Sequence, residues 1–258
     1  MPSWVDADQL YRLIMDRATR PAVVQQMALG LSWSLATLET EDDSLGYGMC
    51  FSPTESPRDL PWPGSLSGRE ASELIPWLCS WNSSEAVVGA AVVNALINHD
   101  SPLPDMAQAL SFSPAPHLSV FEHFKPQLKD AKVAIIGRYP GLDRYRNDFD
   151  FTCIERRPGT GDLPDAAANW TLPKADWVFI TASSIANKTL PHLLNLSQNA
   201  KVVLMGPSLP WLPEWGEFGV DYLAGVAIQQ PDLLLKILME GGGTNIFVES
   251  VAYRLLPL

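Results

Sequence analysis

The chain is poor in positive charge, in histidine and in cysteine, and each shortage argues against a class of protein. Its 258 residues hold 18 lysines and arginines against 29 acidic residues, so the formal net charge is −11. Binding to a nucleic-acid backbone needs clustered cations, and we therefore expect no nucleic-acid partner. The three cysteines lie far apart without a Cys-x-x-Cys spacing, which favours reduced thiols and a cytoplasmic location over a disulfide framework.

Signals for membranes and for common catalytic chemistry are missing as well. No basic stretch followed by an apolar run opens the chain, so we expect no secretion signal. The most apolar window, residues 86–97, is shorter than the roughly 20 residues of a membrane helix, so we expect no membrane partner. The four histidines show no HxxxH spacing, and no GxSxG, Walker or kinase motif occurs. The sequence therefore leaves catalytic residues and metal ligands unknown.

The first half of the chain changes from a helical period to a period of two. Residues 4–18 have apolar positions at helical spacing, whereas residues 27–35 and 46–51 alternate between large and small side chains. This predicts a helix followed by a β-hairpin. Residues 52–68 are rich in proline, serine and glycine, and we predict a long loop there, either a lid or a wrapped connection.

One face of the predicted hairpin is almost bare, because Gly46 and Gly48 occupy it. A bare face suits either a tightly packed helix or the close approach of a ligand. Asn82 and Glu85 have the spacing of a capping pair and predict a helix over 83–98, after a helical segment broken near Pro76. Asn94 is the conspicuous polar residue of that helix, suited to a structural hydrogen bond or to ligand contact. The candidate substrate-binding residues are Gly46, Gly48 and Asn94.

The second half of the chain alternates strands with helices. Short apolar strands are predicted at 133–137, 150–155, 175–183, 201–208 and 221–228, and helices at 187–198 and 231–242. This order predicts a parallel sheet covered on both faces, hence a Rossmann-like α/β domain. With a boundary near 115–130, we predict a smaller α+β domain over 1–120 and a Rossmann-like domain over 121–258.

Ligands of such sheets bind beyond the carboxyl ends of the strands, so the residues that follow the strands are candidates for a cofactor site. Several of them are glycines or hydroxyl-bearing residues. The candidate cofactor-binding residues are Gly137, Arg138, Gly141, Glu155, Thr181, Ser183, Asn187, Thr189, Gly206, Pro207 and Ser208.

The nature of the cofactor stays open between a metal ion and a nucleotide-like ligand. Glu155 lies 18 residues after Gly137, close to the roughly 20 at which dinucleotide folds place an acid for a ribose hydroxyl. The turn GRYPG at 137–141 is not GxGxxG, however, and its proline offers no amide to a phosphate.

Each candidate also has a structural explanation. Arg138 suits an anion or a surface ion pair, and Glu155, with Asp162 and Asp165, suits a hard cation or a salt bridge to a neighbouring arginine. Ser183, Asn187 and Thr189 suit anion binding at a helix start or simple helix capping.

Seven segments, in order, also resemble a known family of bacterial and archaeal proteins, the heavy-metal-chelation domain family. They are GLSWSL (30–35), GYG (46–48), AAVVNALIN (90–98), VAIIGRYPGL (133–142), ER-P-GD-PD (155–165), ITAS-IANKTL (180–190) and GPSLP (206–210). The resemblance implies a domain similar to the enolase N-terminal domain, a Rossmann-like domain, and an active site in the cleft between them. It further implies binding or processing of a metal or metal chelate. Leu209 stands where the family has a threonine, which removes a hydroxyl from the rim.

Three functional hypotheses follow. The leading one is a cytoplasmic two-domain protein that binds a small anionic ligand or metal chelate in an interdomain cleft. The second is an enzyme that uses a nucleotide-like cofactor, favoured by the position of Glu155. The third is a non-catalytic, homo-oligomeric protein for metal handling or scaffolding, in which the same residues are caps and turns.

Overall fold

The computed structural model describes residues 4–52 and 60–258 of the chain. The strands of this part are β1 Ala22–Leu29, β2 Trp33–Thr40, β3 Leu45–Phe51, β4 Gln108–Ala109, β5 Val133–Ile136, β6 Phe151–Ile154, β7 Trp177–Thr181, β8 Lys201–Met205, β9 Tyr222–Ile228 and β10 Val251–Pro257. The α-helices are α1 Ala7–Arg17, α2 Ala71–Leu74, α3 Ser83–Asp100, α4 Leu103–Met106, α5 Ser119–Leu128, α6 Ala168–Thr171, α7 Ser183–Ala186, α8 Leu190–Leu196, α9 Pro231–Met239 and α10 Ile246–Glu249. Within the described part, no helix is both long and apolar enough to cross a bilayer.

The small sheet is antiparallel, in the order β1-β2-β3. The single strand predicted over 27–35 is wrong, because the chain turns at 30–32 and the amide of Gly30 donates to the carbonyl of Trp33 at 3.1 Å. The period of two continues on both sides of that turn, so alternation alone could not reveal it. Of the loop predicted over 52–68, residues 53–59 lie outside the described residues.

Helix α3 covers one face of the small sheet. Its N-cap is Asn82, whose side chain accepts from the amides of Ser84 and Glu85, so the capping residue of the predicted pair is confirmed. The Glu85 carboxylate does not return a bond to Asn82 but accepts from the Ser80 hydroxyl, and the Asn82 amide donates to the Ser80 hydroxyl oxygen. The predicted break near Pro76 is confirmed too, since α2 ends at Leu74 and a 3₁₀ turn, Ile75–Cys79, follows.

The large sheet has the order β4-β10-β9-β8-β7-β5-β6. Strands β5 to β9 are parallel, and β10 and β4 add an antiparallel edge. The predicted α/β fold class is therefore confirmed, together with the five parallel strands. The antiparallel edge was not predicted. Alternate residues of β10 are buried, as in a strand that exposes one face.

Apolar cores lie on both faces of the large sheet. One contains Val178 and Ile180 of β7 together with residues of α1, α3 and α8, and the other contains Phe179 of β7 together with residues of α5 and α9. The small sheet contributes Ala36 to the first core and Leu35 to the second, because neighbouring residues of a strand face opposite sides. The predicted domain boundary stays a prediction.

Candidate functional site

The parallel strands define where a ligand site is expected. β5 is the first strand of the parallel series, its sequence neighbour β6 lies on one side and β7 lies on the other. The order in which strands are added to the sheet therefore reverses between the parallel strands β5 and β7. In a doubly wound sheet, the ligand crevice lies at the carboxyl ends of such a pair. Gly137 follows β5 and Thr181 ends β7, and a Cβ atom at Gly137 would lie 3.0 Å from the Thr181 Cγ2. The φ of Gly137 is +97°, which strongly favours glycine.

The turn after β5 is held by acidic residues. The Glu155 carboxylate accepts from the amide of Arg138 at 2.7 Å and from that of Arg157 at 3.3 Å. The Arg138 guanidinium donates to Asp162 at 2.8 Å and also pairs with Asp143. The Asp162 side chain is only 2% exposed. Arg138 and Glu155 therefore have partners within the protein. This is what we expect if they stabilise the turn rather than bind a ligand.

The same turn contains a buried hydroxyl group without a hydrogen bond of ordinary geometry in the described part of the chain, the Tyr139 Oη. Burial raises the pKa of Tyr139 above its ordinary value, and the nearby Thr181 side chain opposes that rise. The ring packs edge-to-face on Phe121, with 5.2 Å between centroids. Gly141, with φ +79°, then leads into a 3₁₀ turn over Leu142–Tyr145.

In the turn after β7, hydroxyl and amide side chains hydrogen-bond to one another. The hydroxyls of Thr181 and Ser183 lie 3.0 Å apart. The Asn187 Oδ1 accepts from both the amide and the hydroxyl of Thr189, at 3.1 and 2.6 Å. These bonds organise the turn between α7 and α8 as a local side-chain turn. They do not cap α8, because its N-cap is Thr189 and no described side chain accepts from the free amides of its first turn.

Lys188, inside the same turn, was missed by the sequence reasoning. Its φ is +66°, a left-handed conformation uncommon outside glycine and asparagine. The half-buried ammonium group donates to the carbonyl of Ala186 at 3.0 Å and lies 5.8 Å from the ring centre of Trp81. No carboxylate of the described residues pairs with it, and burial lowers its pKa. The available signal was a lysine between two polar residues, Asn187 and Thr189, in an acidic chain.

The turn after β8 connects the two sheets. Gly206 has φ +119°, and Pro207 and Ser208 follow it. The Ser208 hydroxyl accepts from the amide of Phe51 at 2.9 Å, and the Ser208 carbonyl accepts from the Asn94 side chain at 2.9 Å. Asn94 donates its other amide hydrogen to the carbonyl of Met49 at 2.8 Å. Asn94 and Ser208 thus meet, and their described bonds join α3, β3 and the β8 turn.

The glycines of β3 pack against α3. A Cβ atom at Gly48 would overlap the Ala91 carbonyl and the Ala95 amide, and one at Gly46 would lie 2.9 Å from the Ala95 carbonyl. Packing accounts for both glycines without a ligand. Their role in substrate binding, like that of Asn94, stays a prediction.

The candidate residues thus fall into separate pairs and clusters. Gly137 meets Thr181, Arg138 meets Glu155, and Ser208 meets Asn94. That these groups line one common cleft stays a prediction. The Leu209 side chain is only 1% exposed, so it belongs to the core.

Metal ligands do not converge in residues 4–52 and 60–258. No group of three or more histidine, cysteine and acidic side chains there could hold a metal ion. Burial raises the pKa of both the Cys50 and the Cys153 thiols to about 12, whereas thiolate is the form that binds metals. The described side chains therefore do not fit the direct ligation of a bare heavy-metal ion.

The fold and the turns define a doubly wound α/β protein with a small helix-covered sheet packed on it. A family model described as "Putative heavy-metal chelation", DUF364, matches residues 119–257, and a second model with the same description, DUF4213, matches residues 11–97. The chain belongs to the DUF364 family, which confirms the family resemblance of its motifs.

Solved structures of this family share the fold. A DUF364 protein of unknown function from Desulfitobacterium hafniense is 25% identical, with a TM-score of 0.80 over 98% of both chains. One from Pyrococcus horikoshii is 22% identical, with a TM-score of 0.77 over 98% of this chain and 99% of its own. An uncharacterized protein of Methanocaldococcus jannaschii is 32% identical over 124 residues, 45% of this chain and 48% of that protein. The match thus spans about half the length of this curated relative.

Proposed function

We propose that the protein binds a small anionic ligand, such as a metal chelate, at the carboxyl edge of the large sheet, with Lys188 as the cation that receives it. The observation that carries the proposal is the half-buried ammonium group without a described carboxylate partner. Burying a charge is costly unless an opposite charge compensates it. An anionic ligand would supply that compensation.

A chelate reconciles the family description with the side chains of this chain. The described residues do not gather into a metal site, but a metal bound to an organic acid brings its own ligands. The protein then has to recognise carboxylates or hydroxyls of the chelator, for which an ammonium group and hydroxyl side chains are suited.

The test is a binding titration with citrate, ferric citrate and a free divalent metal. Lys188→Met keeps the aliphatic stem and removes the charge. Because a hydrogen bond to a charged group contributes about 1.5–3 kcal/mol, we expect citrate binding to weaken about tenfold or more.

Lys174 is exposed, and Lys174→Met is the matched control, which should bind as the unchanged protein does. Equal binding by Lys188→Met and Lys174→Met, or no binding of citrate or ferric citrate, would contradict the proposal. A response to free metal alone would point instead to direct ligation.

A second candidate is an enzyme with a nucleotide-like cofactor, favoured by Glu155 at the end of β6 beside the switch between β5 and β7. In doubly wound folds an acid at this place accepts ribose hydroxyls. Thermal shift with nucleotides and S-adenosylmethionine tests it, since a ligand at a hundredfold excess over its Kd stabilises by about 2.7 kcal/mol. The shift should vanish in Glu155→Gln. If it persists there, Glu155 only holds the Arg138 turn.

A further inference from the structure

Comparison of the seven lysines sets one of them apart, and all seven lie in the described part of the chain. Five of them are exposed: Lys129, Lys132, Lys174, Lys201 and Lys236. Lys125 is half-buried, and its ammonium group lies 3.2 Å from an Asp148 oxygen and 3.8 Å from a Glu122 oxygen. Lys188 combines partial burial with the absence of any described carboxylate partner.

This combination is that of a reactive amine. A carboxylate partner stabilises the protonated form of a lysine, whereas burial without one favours the neutral amine, the form with a nucleophilic lone pair. Burial lowers the pKa of Lys188, and the neighbouring Cys79 and Cys50 side chains oppose this shift without reversing it. A lowered pKa is the direction that nucleophilic lysines require.

The neighbourhood of the amine favours access by a small molecule. Trp81, whose ring lies next to the ammonium group, is 89% exposed. The left-handed backbone at Lys188 and the hydrogen bond to the Ala186 carbonyl fix where the amine lies. A carbonyl compound therefore meets a positioned amine beside an exposed aromatic ring.

We propose that Lys188 forms a reversible imine with a small anionic aldehyde or oxo acid, which would specify the ligand class of the proposed function on which this inference rests. The neutral Nζ attacks the carbonyl carbon and forms a C–N bond. Proton transfer from nitrogen to the former carbonyl oxygen gives a carbinolamine, which loses water to leave the C=N bond. Amine and carbonyl thus yield imine and water, without an oxidant or reductant.

Reductive trapping tests the proposal on the full chain. The protein is incubated with glyoxylate and sodium cyanoborohydride, and peptide mass spectrometry locates the reduced adduct. We expect the adduct chiefly on Lys188, formed faster than on Lys174 or Lys236, and reaching its full rate at a lower pH than on those exposed lysines. Labelling of Lys188 that is no faster than that of the exposed lysines overturns the proposal.

Lys188→Arg separates charge from nucleophile, since a guanidinium stays protonated and forms no imine under these conditions. We expect this variant to lose the preferential adduct and, because it keeps a positive charge, to bind citrate more tightly than Lys188→Met does. If citrate binding depends on Lys188 but the unchanged protein shows no preferential trapping, the imine proposal is wrong and the proposed function is still supported. The opposite outcome is that Lys188 is trapped preferentially, but citrate does not slow the trapping and Lys188→Met binds citrate as the unchanged protein does. That outcome overturns the proposed anion site instead.

Discussion

The candidate residues of the small sheet and of the helix packed on it differ from Lys188, in the turn after β7, in how fully the protein itself supplies their packing and hydrogen-bond partners. Gly46 and Gly48 are covered by the backbone of α3, and both amide hydrogens of Asn94 go to carbonyls of the protein. After β7, by contrast, a half-buried ammonium group has one backbone carbonyl and no described carboxylate as partner.

This difference separates residues that build the fold from residues available to a ligand. A polar group that already has its bonds gains little from a ligand, whereas a buried group without a partner gains much. Glycines and a single asparagine in a row of small residues therefore indicate close packing here. The half-buried ammonium group of Lys188, without a described carboxylate, is the stronger indication of a binding site.

The largest expected effect tests the packed side of this comparison. Gly48→Ala places a Cβ atom against the backbone of Ala91 and Ala95, which cannot move aside as a flexible side chain would. Overpacking usually lowers the free energy of unfolding by about 1–3 kcal/mol. Because the added atom meets rigid helix backbone, we expect a loss of about 3 kcal/mol or more for Gly48→Ala. Chemical denaturation measures the loss of unfolding free energy.

Gly216→Ala is the control, because a Cβ atom there meets Leu258 at an ordinary 3.7 Å. We expect its stability to change by less than about 0.5 kcal/mol. If Gly48→Ala were equally mild but weakened citrate binding, Gly48 would belong to a ligand site after all.

Local patterns predicted much of the fold. The five parallel strands and the cap of α3 follow from apolar runs and an Asn-x-x-Glu spacing, signals contained within a few residues. The turn at 30–32 and the antiparallel strand β10 depend on partners distant in the sequence. The chain turns at Gly30 where β1 meets β2, and β10 is recognisable as an antiparallel addition to the sheet only once β9 is known to be its neighbour.

The site was harder to predict than the fold, because a residue's availability depends on its neighbours. Glu155 has the sequence spacing of a ribose-binding acid, yet its carboxylate already accepts from two backbone amides. Lys188 belongs to the family segment 180–190, but its lack of a described carboxylate partner is a property of the folded chain. Charge and spacing therefore suggest candidates, and burial with partners selects among them.

The smallest expected effect concerns the Tyr139 hydroxyl, one of several buried polar groups that lack a hydrogen bond of ordinary geometry in the described part of the chain. Tyr139→Phe removes a buried group that makes no described hydrogen bond, so stability should stay the same or rise by up to about 1 kcal/mol. Tyr11→Phe is the matched control: the Tyr11 hydroxyl donates to the Ile185 carbonyl at 2.5 Å, and its loss should cost about 1 kcal/mol. Denaturation of both variants gives the comparison. An equal loss in both would mean that Tyr139 has a protein partner, whereas unchanged stability with weaker citrate binding would place its hydroxyl, with Lys188, among the groups left for a ligand.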